Sequence, residues 1–210
     1  YAKERLSPAQ LSRYEALAEP QWKGRICVRS SDNIYNQSLV ASMMVADGTE
    51  NTQRWVDGLV ANLARSPRGG DRDQIKAVAA GLCDVALVNT YYLGGMIQST
   101  DQQQQAAAAK VAVFWPNQQD RGTHVNVSGA GVTSAAPHRE NAQRLLEFLV
   151  TDPSQQWYAQ INNEYPVKPG VAWSETLQAW GDFKRDPVNL ALLGSNNPEA
   201  VRIMDRAGWK

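Results

Sequence analysis

The chain has 210 residues, 43% hydrophobic and 20% charged, enough for one large domain or two small ones of ordinary composition. Lys plus Arg equals Asp plus Glu at 21 each, so there is no net basic charge of the kind a nucleic acid or a polybasic membrane contact requires. No stretch approaches the ~18 consecutive apolar residues of a membrane-spanning helix. The opening "YAKERLSPAQ" has neither an initiator Met nor a charged leader and reads as a start in mid-protein, so the missing leader says nothing about location.

"SPAQLSRYEAL" is expected to begin a helix, with Ser7 as cap and Pro8 at the first helical position. "GRICVRSS" (24 to 31) reads as a strand, and "NQSLVASMMVADG" (36 to 48) as a helix stopped at Gly48. Thr49 and Glu50 open another helix with an apolar stripe at Trp55, Val56, Leu59, Val60 and Leu63. "SPRGGD" (66 to 71) is a loop, "DRDQIKAVAAGL" a helix, and "CDVALVN" (83 to 89) a continuous apolar strand of the doubly buried type. Strands separated by helices indicate an α/β sheet with parallel strands.

"DQQQQAAAAK" (101 to 110) is a polar helix end or a surface loop. "KVAVFWP" (110 to 116) and "GTHVNVSGAGV" (122 to 132) read as strands, the second leading to a glycine turn at Gly129 and Gly131. "RENAQRLLEFLVT" and "DPSQQWYAQINNE" are helices, and shorter helices end in "NNPEAVRIMDRAGWK". The second half has too few strands for a sheet of its own. It is expected to belong to a lobe whose other strands lie upstream.

Strands of an α/β sheet deliver ligand-binding residues at their carboxyl ends. Tyr91 and Tyr92 follow the strand ending at Asn89, and Tyr35 follows the strand ending near Ser31. A phenolate is a hard anionic donor, suited to a hard trivalent cation such as Fe3+. Packing against loop and helix is the plain alternative for all three. Asn89 and Thr90 could orient a phenol or bind an anion, or simply turn the chain. "RGGDRD" is most simply a solvated loop. Cys27, Cys83, His124 and His138 have no metal-site spacing. The cysteines are either two buried thiols or one disulfide, and the histidines read as structural or surface residues.

"NTYYLGG", "IYNQSLVASM", "WKGRICVRSS", "RGTHVNVSGAGV", "RENAQRLLEFLV", "NEYPV" and "NNPEAVRIMDRAGW" together resemble the ferric-iron-binding periplasmic proteins of ABC transporters, in their cyanobacterial-type subgroup. The resemblance implies the type II periplasmic-binding-protein fold: two α/β lobes joined by crossing strands, with the ligand in the cleft. Residues 1 to 110 would form the second lobe, nearly complete. Residues 111 to 210 would cross back as the C-terminal part of the first. Tyr91 and Tyr92 match the family's metal-binding tyrosine pair and Tyr35 a third tyrosine of the subgroup. Cys27 and Cys83 are similar to a cysteine pair of that subgroup, which favours the disulfide.

The implied function is that of a monomeric, non-catalytic periplasmic carrier that delivers Fe3+ to a membrane permease, with an added anion or water completing the metal shell. Closure would hinge near Ala2 and near Val111 to Phe114. The family pattern also contains a long further stretch upstream. It often has an arginine after the pair, where this chain has Gly94, Gly95 and Met96, and Arg29 or Arg65 then become the candidate counter-charges. The competing readings are a binder of an anion, a polyamine or a thiamine-type solute on the same fold, and an enzyme using Tyr as acid or base.

Overall fold

The computed structural model describes Tyr1–Lys210, which form two compact units: Tyr1–Asn126 with Phe183–Lys210, and Val127–Asp182. The first unit is organised around two short parallel strands, β1 (Ile26–Cys27) and β2 (Val85–Ala86), paired Ile26 to Val85 and Cys27 to Ala86. A parallel bridge from Ile26 to Leu63 adds a third backbone segment. The parallel arrangement expected from the alternation of strands and helices is present, but the ladder spans only two residues per strand.

Five helices follow in order: α1 (Ile34–Asp47), α2 (Thr49–Ala61), α3 (Asp71–Ala79), α4 (Thr90–Ile97) and α5 (Gln102–Ala109). Gly48 ends α1 and begins α2 at φ +79°, a left-handed conformation that a side chain would strain. In α2 the stripe is inside: Trp55 is 5% exposed and Val56 and Leu59 are fully buried, each contributing about 1.5–3 kcal/mol of transfer free energy. The glutamine-alanine run forms α5, capped by the Asp101 side chain on Gln103 N–H at 2.8 Å.

The second unit holds α6 (Arg139–Leu149), α7 (Asp152–Trp157), which runs on as a π-turn over Tyr158–Asn162, and α8 (Glu175–Trp180). α6 buries none of its residues, and Leu145 and Phe148 stand more than half exposed. Val127 to Ala136 form no regular element, and a Cβ at Gly129 or Gly131 would meet nothing within 4 Å.

α9 (Leu190–Arg206) belongs to the first unit and packs along α1, burying Ala200, Ile203 and Met204 in the same core as Val40 and Met43. It is the longest helix of the chain at 17 residues, where shorter ones were expected.

Three strand and helix expectations are corrected. The "SPAQLSRYEAL" segment is not one helix but two 3-10 turns, Pro8–Gln10 and Glu15–Ala18. Ser7 and Gln10 do form a capping box, yet Leu11 is already extended. Tertiary partners take the backbone groups that a helix would have used: Tyr14 N–H donates to Asn117 Oδ1 at 2.9 Å, and Trp55 Nε1 donates to the Tyr14 carbonyl at 2.8 Å.

"KVAVFWP" pairs only at its start, through an antiparallel bridge from Ala2 to Val111, and no ladder continues beyond Ala112. "GTHVNVSGAGV" contributes a single bridge, Thr123 to Arg185. A β-branched pattern makes a strand only where a neighbouring backbone is present to pair with it.

Cys27 in β1 and Cys83 just before β2 are joined as a disulfide, with Cα atoms 5.9 Å apart. Of the two states open to the cysteines, the bridge is the one present. Asp84, the next residue, accepts from Arg5 at 2.6 Å and Arg25 at 2.7 Å. No helix is long and apolar enough to cross a membrane.

Candidate metal site

The site is built from the starts of three helices. After β1 the chain turns through Arg29 to Asn33. Asn36 donates to the carbonyls of Arg29 and Ser30, each at 3.1 Å, and Gln37 donates to that of Ser31 at 2.9 Å. The side chain of Asn33 caps α1, accepting from Tyr35 N–H at 3.1 Å. Tyr35 is thereby fixed in the first turn of a helix instead of the loop that precedes one.

Tyr91 and Tyr92 likewise lie in the first turn of α4, with Asn89 as its cap residue. Successive residues of a helix point about 100° apart, so the two phenols diverge from one backbone turn. Their ring centroids are nonetheless 4.6 Å apart.

The tyrosines from the two strand ends meet. The Tyr35 and Tyr92 hydroxyls are 3.4 Å apart, and the Tyr91 hydroxyl accepts from Asn89 Nδ2 at 3.1 Å. Asn89 is thus an orienting partner of a phenol, and Thr90 is the first residue of α4.

Supporting them is Asp71, the first residue of α3 and 3% exposed. It accepts from Arg29 Nη1 at 2.5 Å and from the Asn89 backbone N–H at 2.9 Å. The Arg29 guanidinium stands 5.7 Å from the Tyr35 ring centroid, and that of Arg72 stands 6.0 Å from the Tyr92 centroid. Arg65 instead donates to Gln74 at 3.1 Å and lines a separate cavity of about 470 Å³ with Arg68, Asp73 and Lys76.

Burial raises the Tyr91 phenol above its ordinary range, reinforced by Tyr35 beside it. The hydrogen bond with Tyr35 raises Tyr92, with burial adding to it. Burial alone would lower Arg29, but Asp71 and Tyr92 outweigh it and hold the guanidinium above its usual value. Both members of the tyrosine pair are therefore neutral near pH 7, and a cation that binds them has to displace their protons.

The donor set is phenolic. Both cysteines are locked in the disulfide, and no group of three His, Cys, Asp or Glu comes together. Two hydroxyls 3.4 Å apart can both reach one hard cation with metal–oxygen distances of about 2 Å. Hard oxygen donors match a trivalent ion of high charge density.

The aspartate is the residue that sequence reasoning missed. "RGGDRD" is not the solvated loop expected there: Gly70 caps α3 and Asp71 turns inward. The nearest sequence signal was the unassigned Arg29, a strand-end arginine that needed a carboxylate.

His124 and His138 take no part in the tyrosine cluster. His138 is the cap residue of α6, and His124 Nε2 bonds Ser38 Oγ at 3.0 Å. The His124 Nδ1 is buried without a partner, and burial with Arg121 nearby lowers its pKa to about 4, against 6.5 when exposed. The unfolded chain therefore binds the extra proton between these values. Stability contributed by neutral His124 is full above pH 6.5 and is lost as pH falls through 4. His124→Gln is expected to flatten the acid limb of the unfolding curve by roughly 3 kcal/mol, measured by denaturant unfolding across that range.

The chain belongs to the bacterial extracellular solute-binding protein family, whose model matches residues 3–183. It is 52% identical over 210 residues to iron uptake protein A1 of Synechocystis sp. and 50% identical over 212 residues to iron uptake protein A2 of the same organism. The matches take in all of this chain but only 58% and 61% of those proteins.

Among solved structures, a Trichodesmium protein in complex with iron and citrate superimposes with TM-score 0.97 at 48% identity, covering 100% of this chain and 66% of that one. A ferric binding protein from Campylobacter jejuni superimposes with TM-score 0.96 at 34% identity. The fold is therefore that of about two thirds of such a ferric binding protein.

Proposed function

We propose that this chain is the larger part of a ferric-iron carrier for an ABC importer, binding Fe3+ through the phenolates of Tyr35, Tyr91 and Tyr92. The observation that carries the reading is the 3.4 Å approach of the Tyr35 and Tyr92 hydroxyls, from helices that follow two different strands. The iron named in the relatives supports it. So does the citrate in the Trichodesmium complex, which fits an added anion or water in the remaining coordination positions.

The carrier works in the periplasm as a monomer, catalyses nothing, and presents its cargo to a membrane permease. The site lies in the unit formed by Tyr1–Asn126 and Phe183–Lys210. We assign residues 1 to 110 to one lobe of the longer protein and the chain from 111 onward to the crossing and the other lobe. α9 is the exception and returns to the first, because it packs on α1. The paired segments at Ala2 and Val111 are the hinge. Ligands from the rest of the longer protein drive closure, since an ion held by one lobe alone does not favour the closed state.

Titration with ferric citrate is the test. A visible phenolate-to-iron charge-transfer band is expected. The apparent affinity is expected to rise with pH, because Tyr91 and Tyr92 release protons on binding, by about tenfold per pH unit for each proton released. A colourless protein overturns the reading. Binding of an organic solute without colour would assign the site to another cargo, and turnover of a substrate would make it an active site.

A further inference from the structure

Two arginines flank the phenols, and they are not equivalent. Arg29 is committed: its guanidinium is paired at 2.5 Å with the buried Asp71. Arg72, one residue further along α3, is exposed and makes no ion pair. The acids on either side of it are taken, Asp71 by Arg29 and by Asn89 N–H, and Asp73 by Gly70 N–H at 2.8 Å. A full positive charge therefore stands 6.0 Å from the Tyr92 ring centroid without an internal counter-ion.

α4 is shaped to admit it. Gly95 follows Tyr91 by four residues and Tyr92 by three, the spacing that puts side chains on one helix face. A Cβ at Gly95 would stand 3.3 Å from Arg72 Nη2, so the bare backbone leaves room for the guanidinium to approach.

We propose that Arg72, resting on Gly95, is the outer-sphere cation of the tyrosine site and sets the balance between ferric and ferrous iron there. This rests on the ferric reading above. One-electron reduction of bound Fe3+ by an external reductant adds one negative charge to the metal and its phenolates. A fixed cation beside Tyr92 stabilises that extra charge, so Arg72 makes the bound iron easier to reduce. Arg29 contributes less, because Asp71 cancels its charge at contact distance.

The experiment compares the full chain with Arg72→Gln, Arg72→Lys and Gly95→Ala, each loaded with ferric citrate. Readouts are the absorption band, thermal unfolding, and the ferric-to-ferrous ratio at equilibrium with a mediator of fixed potential. Arg72→Gln is expected to keep the band and the melting temperature while raising the ratio about threefold, the size of one unit charge acting across a surface dielectric. The difference should shrink as salt is added. Arg72→Lys should stay near the parent ratio because it keeps the charge. Gly95→Ala, which crowds the guanidinium without removing it, should shift the ratio the same way by less.

A parent-like, salt-independent ratio in Arg72→Gln overturns the proposal while leaving the ferric reading intact. An Arg72→Lys chain that behaves like Arg72→Gln overturns it equally. No band in the parent chain overturns both.

Discussion

Tyr92→Phe is expected to lower ferric affinity by more than the ~10–100-fold typical of outer-shell substitutions at metal sites, with the charge-transfer band weakened or lost. Tyr92 has the hydroxyl that meets Tyr35 at 3.4 Å, so removing it takes away one of the two oxygens proposed to share a cation. The phenyl ring keeps its 4.6 Å packing on Tyr91 and its place beside Arg72. Stability should therefore change little, which separates loss of a ligand from loss of the fold. Competition against citrate at fixed pH, with thermal unfolding as control, measures both. Unchanged affinity and colour would remove Tyr92 from the ligand set.

Loss of the Cys27–Cys83 bridge should cost about 4 kcal/mol, the chain-entropy value for a crosslink closing a loop of 56 residues, and lower the melting temperature by roughly 8–16 °C. Position adds to length here. The bridge joins β1 to the residues that lead into β2, and each of those strands pairs through only two residues. Beside it, Asp84 with Arg5 and Arg25 helps to hold the two strand ends in register. Cys27→Ala with Cys83→Ala, or reduction of the parent chain, should produce the same drop in calorimetry. A drop below about 1 kcal/mol would mean that packing alone fixes the pair.

The local signals that a sequence can carry were mostly readable. The apolar stripe of α2, the Gly48 stop and the tyrosines after "CDVALVN" each rest on residues within a few turns of one another. What could not be read depends on partners far away in the chain. Tyr14 looks helical from its neighbours but gives its backbone groups to Asn117 and Trp55, 103 and 41 residues distant. "KVAVFWP" has strand chemistry but meets a pairing partner only at Val111. Asp71 sits in a glycine-rich, charged hexapeptide whose composition says solvent, and its burial is explained by partners distant in sequence, Arg29 42 residues earlier and the Asn89 N–H 18 residues later. The tyrosines were legible as a strand-end motif. Their support was legible only in part, in Asn89 and Arg29; Asp71 was not, because α3 supplies it.

The indole of Trp209, buried at the end of the chain, donates at 2.8 Å to the carbonyl of Arg29, 180 residues earlier. Arg29 is the residue on which Asp71 and the Tyr35 ring converge. The support of the tyrosines is thus bolted by a residue distant in sequence. In kinetic terms this bond closes over 180 residues, a contact of very high sequence separation. A growing chain has made both strands and all three tyrosines long before it has made the residue that fastens them. Full order around the tyrosines should therefore wait for the docking of a segment 180 residues beyond Arg29.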